Sequence, residues 1–324
     1  MMNQVSKETF CEILDGKESI AIGGHIRPDG DCVGSCMGLN LYLKEHYHFK
    51  ELDVYLESIP DSFYMIQGTR EIKHEIPADK QYDLFICLDC GDLGRLGFSA
   101  ELFEHAKTTF CVDHHISNQA FARTNYIVPE ASSTSELVYH LMQPELISKE
   151  TAEALYMGIA HDTGVFQYSC TSPSTMEVAA ELLRKGIDAN DITNKTYYEK
   201  TYTQNQILGK ALLESMMLLN KRCIASVVTL KDLEFFEADT KDLEGIVSQL
   251  HNTKDVDVAI FLYELEPKTY KISLRSNEKV DVSKVSQYFG GGGHKRAAGC
   301  SLSGNYYDIL NNLVGQIALQ MDDV

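Results

Sequence analysis

Residues 19–47 read SIAIGGHIRPDGDCVGSCMGLNLYLKEHY, and this stretch decides the fold. Residues 19–24 form a short apolar run of strand length. Pro28 then stiffens a loop by fixing its φ angle, and Gly30 lets the backbone turn tightly. From residue 30 to residue 47 the apolar positions recur at helical spacing, so the stretch predicts a strand, a loop and a helix. The alternation continues. Residues 53–56, 84–88 and 108–112 predict further strands, with a helical stretch near 99–106 between the last two. Strands alternating with helices predict an α/β fold, a parallel sheet flanked by helices. Ligands of such sheets gather beyond the carboxyl ends of the strands.

Charged residues and histidines sit at those ends. His25, Asp29 and Asp31 follow the first strand, and Asp89 directly follows Leu84-Phe85-Ile86-Cys87-Leu88. Asp113-His114-His115 follows Phe110-Cys111-Val112. His161-Asp162-Thr163-Gly164 closes an apolar helical run over 149–162, with Gly164 as a helix stop. Each cluster alone has a plainer reading: turn chemistry and a helix cap at Pro28-Asp29-Gly30, a loop-entry aspartate, surface histidines, a helix terminus. Asp92 and Arg95 read as supporting or solvated groups. Together the clusters supply carboxylates and imidazoles, the ligand types of hard and borderline divalent metals. There are enough to hold two ions side by side, and ions about 3.5–4 Å apart hydrolyse phosphate esters.

The second half changes character. A helix starting at Pro173 covers residues 173–185, and residues 188–220 read as a long polar-faced helical connector. Residues 222–230, 256–264 and 269–275 predict strands, and 242–251, 282–289 and 306–321 predict helices, giving a smaller α+β domain. The expected domains are therefore 1–187, a connector 188–220, and 221–324. The run Gly290–Gly293 reads either as a flexible linker or as a tight backbone loop suited to an anion. His294, Lys295 and Arg296 follow it, and with Arg275 they make a local cationic patch. Ser132-Ser133-Thr134-Ser135-Glu136 reads as a capping box from Ser133 to Glu136, with room for a substrate contact as well.

The chain has 324 residues, with 29 Lys and Arg against 47 Asp and Glu, a formal charge of −18. That balance argues against an extended grip on long nucleic acid, which needs many cationic phosphate contacts. It leaves room for a short anionic substrate held by metals and a few cations. No apolar run approaches the ~18 residues of a membrane span, and residues 1–16 lack the apolar segment of a signal peptide, so the expected location is cytoplasmic. The nine cysteines are scattered and odd in number. Cys87 and Cys90 have redox-motif spacing, but small buried hydrophobes are the better reading.

These residues resemble the DHH phosphoesterases through Asp113-His114-His115. Gly291-Gly292-Gly293-His294 resembles the signature of the C-terminal domain that accompanies them. Within the family the chain is most similar to the stand-alone bacterial nano-RNases, which degrade RNA of a few nucleotides and often remove the 3′-phosphate of adenosine 3′,5′-bisphosphate. The resemblance implies two divalent ions, by family preference Mn²⁺. His25, Asp29 and Asp89 would hold one, and Asp31, Asp89, His114 and Asp162 the other. Asp113 would orient His114, and His115 would contact the scissile phosphate, making Asp89, Asp113 and His115 the catalytic set. Arg275, Gly291, Gly292, Gly293 and His294 would hold the far end of the substrate, across a cleft between the two domains. The implied partners are short RNA oligonucleotides or nucleotides, with no long nucleic acid and no membrane, and a homodimer is compatible with the resemblance. Four aspartates against two divalent ions make a neutral cage. The alternatives are a phosphodiesterase for linear or cyclic dinucleotide messengers, and a nucleotide-sensing module that has lost catalysis. No ligand is missing, which argues against the second. Manganese pyrophosphatases share the core but lack the glycine-rich segment.

Overall fold

The computed structural model describes residues 5–321. The chain divides into two compact units, Met1–Glu199 and Lys200–Val324. The first is built on β1 (Ser19–Gly23), β2 (Glu51–Tyr55), β3 (Leu84–Leu88), β4 (Thr108–Asp113) and β5 (Thr124–Ile127). They lie in the order β2-β1-β3-β4-β5, and every adjacent pair is parallel. The chain steps from β1 outward to β2, then returns to the other side of β1 for β3. That reversal opens a crevice at the carboxyl ends of β1 and β3, where doubly wound sheets bind their ligands.

Side chains of successive strand residues face opposite sides of the sheet. Ile20, Ile22, Ile86, Leu88 and Val112 join the core on one face, and Ala21, Phe85, Cys87 and Cys111 join the core on the other. Helix Gly30–His46 covers the first face and is buried along most of its length, from Gly30 through Leu43. It is buried all round because helix Lys149–Asp162 packs on its outer side. Each fully buried large apolar side chain in this core contributes about 1.5–3 kcal/mol.

The second unit holds β6 (Met216–Leu218), β7 (Cys223–Val228), β8 (Val258–Glu266), β9 (Thr269–Ser276), β10 (Gly292–His294) and β11 (Ala297–Ser303). Their order is β10-β11-β9-β8-β7-β6, antiparallel except for β7 with β8. Helices Val282–Tyr288 and Tyr306–Ala318 pack into the core of one face, and Ile246–His251 into that of the other.

Residues 188–220, read above as a connector, divide between the units. Helix Ala189–Thr193 buries Ile192 in the first unit's core and runs into a π-helical turn, Asn194–Tyr198. Helix Tyr202–Leu213 buries Ile207 and Ala211 in the second unit, and β6 is the edge strand of its sheet. Cys87 and Cys90 are buried free thiols. No helix among the described residues is long and apolar enough to cross a membrane.

Candidate metal centre

The ends of β1, β3 and β4 bring His25, Asp89, His114 and His115 together, and the helix termini add Asp29, Asp31 and Asp162. Asp89 is central and only 2% exposed. Its φ of +53° is left-handed, a region that Asp tolerates better than most residues, and the turn ends the strand on a carboxylate. Asp89 Oδ2 lies 3.4 Å from His25 Nε2, and Oδ1 lies 3.6 Å from both His114 Nε2 and His115 Nδ1. His25 Nε2 is 3.6 Å from Asp29 Oδ2, and His114 Nε2 is 2.9 Å from Asp162 Oδ2. Two ligand atoms each about 2.1 Å from one ion stand about 3.0–3.4 Å apart, so these separations suit shared cations. Three overlapping groups offer ligand atoms within 4.8 Å of one another: His25 with Cys32 and Asp89, Asp89 with His114 and His115, and Asp31 with His114 and Asp162. The donors thus fall into adjacent pockets joined through Asp89 and His114, and the residues present fit a pair of divalent ions.

Local structure fixes each ligand. Asp29 is the N-cap of helix Gly30–His46: its Oδ1 accepts from the Asp31 and Cys32 amides, leaving Oδ2 toward His25. His25 Nδ1 is 2.8 Å from the Ile26 carbonyl, which can only accept, so Nδ1 carries the proton and Nε2 faces the carboxylates. Asp31, fully buried, receives the amides of Thr134 at 2.6 Å and Ser135 at 2.9 Å, the first turn of helix Thr134–Leu141. The positive end of that helix thus meets the carboxylate. Gly158 makes the room, since a Cβ there would lie 2.0 Å from Ser135 Oγ and 2.8 Å from Asp31 Oδ1. The Thr134 hydroxyl donates to Asp89 Oδ1, so one residue steadies two carboxylates.

Two expectations need correction. Asp113 hydrogen-bonds His115, not His114: its Oδ1 is 2.7 Å from His115 Nδ1, and Asn118 Nδ2 donates to its Oδ2 at 2.7 Å. In an extended chain residues i and i+2 share a side and i+1 faces away, so Asp113 meets His115. The serine-rich segment is capped at Ser133 as expected, its hydroxyl accepting from the Glu136 amide. The Glu136 carboxylate, however, accepts from Ser132, Ser174 and Thr175 instead of reaching back to Ser133. It is a buried brace beneath the two amides that hold Asp31.

Burial opposes charge on His25, but Asp29 and Asp89 outweigh it and push its pKa up to about 11. His114 is likewise raised to about 10 by Asp162, Asp89 and Asp31 against its burial. Burial, with Asp89 and Asp162 nearby, raises Asp31 well above the carboxylate range. Asp162 rises to about 6, chiefly through burial. Without metal, protons therefore neutralise the cluster. A divalent ion must expel them, and its affinity falls as pH falls. At pH 8, binding of a divalent ion is expected to release protons, chiefly from His25 and His114. Calorimetry in buffers of different ionisation enthalpy measures this, and uptake without net proton release would contradict it.

In the second unit the glycine run divides: Gly290 and Gly291 form a tight turn out of helix Val282–Tyr288, and the rest is strand. Gly292–His294 is the exposed edge strand β10, held to β11 by backbone pairing. Gly291 and Gly293 are needed there, because a Cβ on either would lie within 2.6 Å of the opposite strand. His294 pairs with Ala297, and Ala297 pairs with Arg275. Directly opposed residues share a face, so His294 and Arg275 flank the small Ala297, about 10 Å apart. The Arg296 guanidinium pairs with Glu278.

Sequence reasoning missed Cys32, Asn118 and the Thr134 and Ser135 amides. Only the last left a signal, since Ser133 located a helix N-terminus without showing what that end faces.

Residues 19–159 match the N-terminal domain of the DHH family, and residues 220–318 match the DHHA1 domain. A bifunctional oligoribonuclease and PAP phosphatase NrnA from Thermus thermophilus is 27% identical over 304 residues, 91% of this chain and 87% of that protein. Its namesake from Bacillus subtilis is 25% identical over 292 residues, 88% and 90% of the two chains. The crystal structure of an exopolyphosphatase-related protein from Bacteroides fragilis matches with a TM-score of 0.88 at 28% identity, over 98% of this chain and 97% of that one. Exonuclease RecJ bound to manganese shares the fold, with a TM-score of 0.56 at 13% identity over 98% and 95% of the chains.

Proposed function

The chain belongs to the DHH family of phosphoesterases, with a DHHA1 domain, and from that premise we propose that it hydrolyses RNA of two to about four nucleotides to nucleoside 5′-monophosphates. We propose adenosine 3′,5′-bisphosphate, cleaved to AMP, as a second substrate. Relatives named for both activities over most of their length support this reading. The observation that carries it is Asp89, a buried carboxylate at the sheet's switch point, within 3.6 Å of three imidazoles.

His25, Asp29 and Asp89 would hold one divalent ion, and Asp31, Asp89, His114 and Asp162 the other, with Mn²⁺ as the preferred metal. Such a pair supplies Lewis acidity at the phosphoryl oxygens and activates water as the nucleophile. The protein residues do the rest. Thr134 and the helix start fix Asp89 and Asp31 before substrate arrives, so no reorganisation is required during the reaction. His115 offers its Nε2 side to the scissile phosphate, while its Nδ1–H donates to Asp113. Arg275 and His294, on one face of the second sheet, take the remote phosphate or base.

A screen with Mn²⁺ tests the substrate assignment: an RNA length series, adenosine 3′,5′-bisphosphate, and linear and cyclic dinucleotides. The acidic surface gives longer strands no further grip. kcat/KM on substrates of two to about four nucleotides is expected to exceed that on a strand of about 20 nucleotides by at least about 10-fold. Arg275→Ala should lower kcat/KM on the short substrates by about 10- to 100-fold, the scale of a lost charged hydrogen bond, and spare metal content. His294→Ala should act the same way, less strongly. Equal rates on short and long RNA, or variants matching wild type, would refute the remote grip.

A further inference from the structure

Next to the acid–histidine cluster stands a group of aromatic side chains that the chemistry above leaves unused. After Asp162 the chain turns through Gly164, Val165 and Phe166 at φ values of 55, 54 and 64°. Three left-handed residues in succession, one β-branched and one aromatic, are unusual, and the non-glycine ones are strained. The turn carries the Tyr168 ring back over Gly164, where it comes within 2.4 Å of the position a Cβ would take. Facing it is the π-helical turn Asn194–Tyr198, a rare element frequent at functional sites.

That turn presents Tyr197 and Tyr198. The Tyr197 hydroxyl lies 3.4 Å from the Tyr168 hydroxyl. The Tyr197 ring is 5.3 Å from the rings of both Tyr198 and His161, edge-on to each. The His161 ring in turn packs against Gly30, between Asp29 and Asp31, and edge-on to Phe63. A chain of ring contacts therefore runs from the metal-binding loop outward. Phe63 at its inner end is buried, while Tyr168 and Tyr198 are 53% and 50% exposed. These two rings keep free surface while their ring and hydroxyl contacts hold them in place. Here they are held toward water beside the carboxylates, by a strained turn on one side and a π-helical turn on the other.

We propose that Tyr168, Tyr197 and Tyr198 form a stacking wall for the base of the nucleoside whose phosphate lies at the acid–histidine cluster. The inference rests on the phosphoester reading above and adds what that reading leaves open: selection of base-bearing substrates over base-free phosphates. One ribose separates a base from its phosphate, and one imidazole separates Tyr197 from the Asp29–Asp31 loop, so the two spans correspond. Stacking on a neutral ring is indifferent to base identity and contributes about 1–3 kcal/mol per base. It adds no cation to compete with metal among the aspartates. An inorganic oligophosphate gains nothing from it.

The test compares AMP with ribose 5-phosphate by calorimetry, on the full-length protein with Mn²⁺. Wild type is expected to bind AMP about 5- to 150-fold more tightly, the range that 1–3 kcal/mol represents. Tyr197→Ala and Tyr198→Ala should lose most of that preference by weakening AMP alone, and Tyr197→Phe, which keeps the ring, should retain it. Equal binding of the two ligands by wild type overturns the wall and needs no variant. So does an equal loss for both ligands in the alanine variants, or a Phe variant as impaired as Ala. Failure of the hydrolase reading looks different. A protein that prefers AMP but cleaves neither oligonucleotide nor bisphosphate keeps the wall and loses the activity, and one that cleaves both without preferring AMP loses only the wall.

Discussion

Asp89→Asn is expected to lower kcat by more than about 10³-fold, the largest effect of any single substitution in the chain. Asp89 shares ligand pockets with His25 and with His114, so its loss removes a ligand from both candidate ions. Asparagine is chosen because it tolerates the left-handed backbone at this position and keeps the hydrogen bond from Thr134. The loss therefore cannot come from strain. Asp89→Ala should be as inactive and additionally strained. Without metal, Asp89 is the buried partner of the protonated His25 and His114, so the metal-free Asp89→Asn variant should melt below wild type. Wild type should gain a rise in Tm with Mn²⁺ that the variant lacks. Elemental analysis and a melt with and without chelator check both points. A variant that keeps two ions and a tenth of the activity would exclude the shared-ligand assignment.

His115→Ala is expected to lower turnover by about 10²- to 10⁴-fold while metal content stays at that of wild type. The geometry gives the reason. Asp113 accepts the Nδ1 proton of His115, so this imidazole turns its other nitrogen away from the carboxylate. If Asp31, Asp89, His114 and Asp162 hold the ion as proposed, a nitrogen so oriented suits the phosphate. Asp113→Asn should reproduce part of the defect, about 10²-fold, because an amide no longer fixes which ring nitrogen carries the proton. Loss of an ion in His115→Ala would exchange the roles of the two neighbouring histidines.

The parallel sheet was legible because β1, β3 and β4 are apolar runs that stop abruptly at a charged residue. That abrupt stop also marked His25, Asp89 and Asp113. β5, Thr-Asn-Tyr-Ile, was not legible: it is short, half polar and stabilised by pairing with β4. The strand Gly292–His294 was hidden for a related reason, since glycine carries no strand signal of its own and the neighbouring chain imposes the conformation. The resemblance implied His114 as the partner of Asp113, whereas the pleat of the strand turns Asp113 to His115. The hold of Thr134 and Ser135 on Asp31 spans about a hundred residues and exists only once the helices have packed.

Every metal-cluster residue, from His25 to Asp162, belongs to the first unit, and Arg275 and His294 belong to the second. The units' hydrophobic cores have no buried residue in common. Substitutions in the two cores should therefore act almost additively on stability, since distant sites without shared partners do not couple. The division makes the molecule modular in an evolutionary sense. Under the proposed roles, the hydrolytic cluster and the far-end grip of Arg275 and His294 would sit in separately repackable halves, so redrawing one edge strand would change how the far end of a substrate is held and leave the machinery that breaks the bond, with the tyrosines beside it, as it was.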